Sequence, residues 1–85
     1  MTPLAVHLTA AEELERSLRE VRQMVARDLK AARLTSGLSL RQVGQKVKLN
    51  PSSLLALENG ESWQGQTVRR VARFYERLAA PAVAA

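Results

Sequence analysis

Apolar residues recur at helical spacing along most of the chain. Leu14, Leu18, Val21 and Val25 follow at intervals of four, three and four, and Leu29 and Ala32 prolong the stripe. Neither Gly nor Pro interrupts residues 9–36. Thr9-Ala10-Ala11-Glu12 carries the S/T-x-x-E capping pattern, and Gly37 stands where a helix would end. The pattern predicts a first helix over about 9–36, roughly 42 Å long at about 1.5 Å per residue, behind an N-terminal arm, 1–8. Glu12–Arg16 and Glu15–Arg19 are placed to support its polar face.

Ser39-Leu40-Arg41-Gln42 is a second capping box, followed by an inner face of Leu40, Val43 and Val47. Gly44 offers a place where another helix can approach closely. Asn50 and Pro51 open a third helix, as cap and first-turn residue, and Gly60 falls just past its end. Two helices of about eight residues across a turn of about three form the helix-turn-helix arrangement, here over about 39–59. Leu54 and Leu57 point inward together, while Leu55 and Ala56 face elsewhere. Trp63, in the polar loop that follows, is expected to pack over that loop as part of the core. Thr67 caps a last helix over about 67–80, with Val68, Val71, Ala72, Tyr75 and Leu78 inward and Arg69, Arg70, Arg73 and Arg77 outward. Residues 81–85 read as a tail, so a single domain spans 9–80.

Composition narrows the class to all-α. Only 4% of the residues are aromatic, and four Gly and three Pro are too few for a β-sandwich or barrel. A chain of 85 residues makes one small domain, burying roughly 60–65% of its unfolded surface, with no room for a large enclosed active site. The absence of cysteine excludes a disulfide framework and a thiolate metal site. Met1–Leu8 lacks a basic leader and a long apolar core, so a soluble, cytoplasmic chain without membrane contact is expected. The net charge of +5 is uneven: −1 over residues 1–28 and +6 over residues 29–85. A basic segment of that kind suits a polyanion. No nucleophile with a base, no paired carboxylates and no phosphate-cradling glycine loop occur, and His7 stands alone. The expectation is no catalytic residue, no metal and no cofactor. Glu58 is read as capping or orienting the turn around Asn59-Gly60.

The stretch from Leu29 to Gly60 resembles the Cro and lambda-repressor type helix-turn-helix family, often called XRE-like. The resemblance rests on Leu29 and Arg33, Gly37-Leu38-Ser39, Val43-Gly44, then Leu49, Leu54 and Leu57, and most specifically on Glu58-Asn59-Gly60. Residues 67–75 fit the family's fourth helix, and the match covers about 24–78. It implies double-stranded DNA as partner, with the second helix across the backbone and the third in the major groove. Carried over by position, Pro51, Ser52, Leu55 and Ala56 face bases, with Asn50 at the groove edge. Arg41, Lys46, Lys48, Ser53, Asn59, Arg69 and Arg70 are the candidates for the DNA backbone. Leu40, Lys48 and the apolar reading positions depart from the family pattern.

Those departures leave alternatives open. Leu55 and Ala56 suit thymine methyls, with Ser52 making a short hydrogen bond; Leu55 equally fits a protein partner, or the core. The extension over residues 9–24 is read as a homodimer interface of Leu14, Leu18, Val21 and Val25, joined by Phe74, against folding back on its own domain. The function expected is a transcriptional regulator, a repressor with a two-half-site operator. The alternative is an adaptor or antitoxin-like protein that uses this scaffold to bind a protein partner.

Overall fold

The computed structural model describes residues 2–79, and among them every regular element is a helix: α1 (Pro3–Ser36), α2 (Leu40–Val47), α3 (Pro51–Glu58) and α4 (Gly65–Ala79). The first helix starts at Pro3, not at Thr9. Thr2 is its cap, its Oγ1 accepting the Ala5 amide at 3.2 Å, and Pro3 occupies the first turn. Nothing in Leu4–Leu8 breaks a helix, so the expected arm is helical from Pro3 onward. Thr9 lies inside α1, where its hydroxyl donates to the Ala5 carbonyl at 2.9 Å, a bond that Thr makes within helices. The last helix likewise begins early, at Gly65. The Gln64 carbonyl accepts the Val68 amide, and Thr67 donates to the Gln64 side chain instead of capping. Ala80 and the tail lie outside the described residues.

The core sits at one end of a long molecule. α1 has 34 residues, about 51 Å at 1.5 Å each, and the whole measures 59 × 33 × 19 Å. Only Ala26 and Leu29 of α1 are buried, with Val25 and Ala32 at the margin. Leu29 joins Val43 and Val47 of α2, Leu54 and Leu57 of α3, and Val68, Val71 and Tyr75 of α4. Leu78, expected inside, is 51% exposed because α4 outruns the core by its last turn. Trp63 is 39% exposed and not in the core; it stacks under the Arg22 guanidinium, 5.3 Å from the ring centroid. Neither Glu12–Arg16 nor Glu15–Arg19 closes as an ion pair: among the described residues Arg33–Glu58 is the one that does.

That pair ties three elements together. Arg33 Nε donates to Glu58 Oε2 at 2.8 Å and Nη2 to Oε1 at 3.0 Å, a bidentate contact from α1 to the end of α3. Its Nη1 donates to the Leu38 carbonyl in the α1–α2 turn. The Glu58 side chain is 0% exposed and that of Arg33 12%. The carboxylate holds the guanidinium more firmly in its charged form, raising the Arg33 pKa. Tyr75 feels the same surroundings. Burial first, and the Glu58 charge second, push its phenol up to about 12. Its buried hydroxyl has no hydrogen-bond partner among the described residues.

The turn between α2 and α3 is made by two backbone features. Leu49 N–H donates to the Gly44 carbonyl at 2.8 Å, and a Cβ at Gly44 would lie 2.6 Å from the Leu49 carbonyl oxygen. Gly44 thus admits the turn itself rather than another helix. Lys48 caps α2 in the left-handed region, φ 58° and ψ 50°, where a side chain costs about 1–2 kcal/mol.

These features set three stability outcomes. Arg33→Ala strands a buried carboxylate and is expected to lower unfolding free energy by about 3–5 kcal/mol in denaturant titration, whereas Arg33→Met with Glu58→Leu recovers most of it. Lys48→Gly relieves the left-handed strain but adds freedom to the unfolded chain, for a net gain of about 0.5–1 kcal/mol. That gain reads as a Tm higher by several degrees. Tyr75→Phe removes an unpartnered hydroxyl and is expected to hold or raise stability at pH 7. Because the folded pKa is raised, wild-type stability from this group is complete below pH 10 and lost as pH climbs toward about 12. The gap between the melts of the two proteins therefore widens, in favour of the variant, only in that alkaline window.

Candidate nucleic-acid interface

α3 is held along one side and open along the other. Leu54, Leu57 and Glu58 are buried, while Asn50, Pro51, Ser52, Ser53 and Leu55 are exposed and Ala56 is half-buried. Leu55, at 43% exposure, is not a core residue. Asn50 is partly committed: its Oδ1 accepts the Ser52 amide at 2.8 Å as the α3 cap. At the far end Asn59 is exposed, and its own amide is spent on the Leu55 carbonyl.

Two grooves adjoin this helix. One, of about 310 Å³, is lined by Ser52, Ser53 and Ala56 together with Leu49, Leu57, Ser62, Gln64 and Thr67. The other, of about 600 Å³, lies between the end of α2 and α4. It brings together Lys46, Lys48, Arg69 and Arg70 with Arg73, Arg77, Gln66, Val47 and Phe74, and no acid lines it. The grooves share a border, since Lys48 and Gln66 line one and their neighbours Leu49 and Thr67 line the other. Arg41 stands exposed in the first turn of α2, at the other end of that helix from Lys46 and Lys48, and joins neither groove.

The structure therefore gathers Lys46, Lys48, Arg69 and Arg70 in one place and Ser52, Ser53 and Ala56 in another, leaving Arg41 and Asn59 outside both. Of the residues read as an interface, Leu14, Leu18 and Val21 are exposed, whereas Val25 and Phe74 rest partly against their own core. Phe74 also meets Tyr75 edge-on, with ring centroids 5.4 Å apart. Sequence reasoning missed three contributors. Arg77 continues the Gln66, Arg70, Arg73 spacing of four, three and four, a signal present in the sequence. Gln64 and Ser62 enter the α3 groove through the folding of a loop, which no periodicity announces.

Among the described residues no cluster of acidic, His or Cys side chains could hold a metal ion, and no helix is long and apolar enough to cross a membrane. In comparisons with known proteins, a family model described as a helix-turn-helix domain matches residues 16–84. No curated protein and no solved structure matches the chain. The match spans α2, the strained turn at Lys48, α3 with its outward face, and the basic side of α4. With that match covering most of the chain, and the capped helix pair and its turn in place, the chain belongs to the helix-turn-helix domain family.

Proposed function

We propose that the protein is a sequence-specific transcriptional regulator, a repressor that binds a two-half-site operator as a homodimer with α3 in the major groove. The observation that carries this reading is the one-sided anchoring of α3. The buried side chains of α3 are Leu54, Leu57 and Glu58, so Pro51, Ser52 and Leu55 are exposed and Ala56 half-exposed, beside a cationic groove. In the groove of a duplex, Leu55 and Ala56 meet thymine methyls and the Ser52 hydroxyl bonds a base edge. Lacking the bidentate donors that read guanine or adenine, this face favours A·T-rich half-sites chosen partly by DNA shape. Lys46, Lys48, Arg69 and Arg70 neutralise phosphates, and Arg41 and Asn59 touch the backbone from either end.

Exposed Leu55 also supports a second reading, an adaptor or antitoxin-like protein that docks a protein partner on this scaffold. Purified protein titrated against its own promoter region and a scrambled duplex, at low and physiological salt, separates the two. The repressor binds the promoter more tightly at physiological salt and protects two half-sites about one turn apart. Arg69→Ala or Arg41→Ala then weakens binding and flattens the salt slope by about one for each phosphate no longer neutralised. Equal, salt-fragile binding to both duplexes sinks sequence-specific regulation. The adaptor reading instead predicts that those arginine variants are silent while Leu55→Asp or Leu18→Asp abolishes partner capture.

A further inference from the structure

Residues 3–18 of α1 run beyond the domain built by the other helices, and residues 19–23 lie along its 60–63 loop, where Arg22 stacks on Trp63 and Gln23 donates to the Gly60 carbonyl. Leu4, Leu8, Leu14, Leu18 and Val21 stand exposed along the segment. The charge of this segment is graded. Residues 2–15 hold Glu12, Glu13 and Glu15 and no Lys or Arg, a net of −3. Residues 16–27 hold Arg16, Arg19, Arg22 and Arg27 against Glu20, a net of +3. None of these side chains closes an ion pair within the protomer.

We propose that this segment pairs antiparallel with the same segment of a second copy. The proposal rests on the homodimer reading above and adds its orientation and register. Parallel pairing would set both acidic halves side by side, and both basic halves likewise. Packed helices lie about 8–10 Å apart, comparable to a Debye length of about 8 Å at physiological salt, so that repulsion is only partly screened. Antiparallel pairing in the register below instead sets Glu13 of each copy opposite Arg16 of the other, with Glu12 one position away, twice by symmetry, and leaves Arg19, Arg22 and Arg27 opposite the uncharged Ala10, His7 and Thr2.

The apolar positions fit the same register. Leu4 and Val25, Leu8 and Val21, and Ala11 and Leu18 are each equidistant from a point between Leu14 and Glu15. A twofold axis at that point sets Leu4 beside Val25, where the domain begins, and Leu8 beside Val21. It sets small Ala11 beside Leu18 and brings the two Leu14 side chains together at the centre. In this register Ala26, the first buried residue of α1, lies opposite Pro3 of the other copy. The two domains then begin roughly 35 Å apart at about 1.5 Å per residue, the order of one turn of duplex.

Because the chain has no cysteine, single-cysteine variants report the geometry directly. Ala11→Cys and Leu18→Cys proteins are oxidised separately and as a mixture, with Leu14→Cys as the self-linking reporter of pairing and wild type run in sedimentation equilibrium. The expected result is a wild-type dimer, Leu14→Cys linked to itself, and a disulfide between Ala11→Cys and Leu18→Cys that neither forms alone. A wild-type dimer in which Leu18→Cys or Ala11→Cys links to its own kind shows parallel pairing, which overturns the orientation and leaves the homodimer standing. A wild-type monomer without linked species overturns both, and operator binding is then judged by the promoter titration alone.

Discussion

The bidentate contact between Arg33 and Glu58 is the constraint on which the placement of α3 depends. An eight-residue helix is far below the length at which a helix persists in water by itself. Leu54 and Leu57 give α3 a reason to lie on the core, but two leucines a turn apart leave its rotation loosely defined. The planar fork of Arg33 on both Glu58 oxygens removes that freedom, because it is satisfied at one rotation only. The third arginine donor, on the Leu38 carbonyl, fixes the α1–α2 turn with the same side chain. Burying such a pair adds little net stability against an apolar substitute. What it supplies is direction: with Leu54, Leu57 and Glu58 held inward, Ser52 and Ala56 lie on the far side of α3 and Leu55 at its exposed flank.

Local chemistry at each end of the helices does the remaining positioning. Ser39 and Gln42 close a reciprocal capping box at the start of α2. The close approach of Leu49 to Gly44 sets how sharply the chain leaves that helix. Lys48 occupies a left-handed conformation better suited to glycine. A cation there stands at the border of the two grooves, so the strained backbone and the charge coincide at one residue. That coincidence fits the general finding that strain persists where the surrounding structure over-determines it and function makes use of it.

Much of this was legible in the sequence, for reasons that differ by element. The capping box at Ser39, the Asn50-Pro51 start and the Gly37 stop are local signals, and each lies where its chemistry requires. Leu54, Leu57, Val68, Val71 and Tyr75 went inward because helical periodicity and burial agree there. Thr9 misled because S/T-x-x-E is as compatible with a threonine bonded back to the preceding turn as with a cap. Leu78 and Trp63 misled for a different reason: apolar character does not say how far a small core extends. The Arg33–Glu58 pair was hidden as a pair, since its members are far apart in sequence and each is of a type that ordinarily faces solvent. For the candidate interface, residue types on α3 and α4 were readable. The separation of the cations into a groove beside the reading face, with Arg41 apart from it, required the fold.

An apolar recognition face changes where specificity has to come from. A bidentate side chain discriminates one base by about 1–3 kcal/mol; Pro51, Leu55 and Ala56 have no such donors, and Ser52 offers one hydroxyl. Under the proposed reading, contact with a single half-site therefore selects weakly, and the cations of the α2–α4 groove add affinity without adding choice. The geometry of two half-sites then carries a larger share of the selection, because a rigid pair of domains rejects every spacing but its own. A long helix is a suitable ruler for this: its rise per residue is invariant, and no Gly or Pro interrupts α1 after Pro3. The length of α1 and the blandness of α3 are then linked features, the first compensating for what the second does not read.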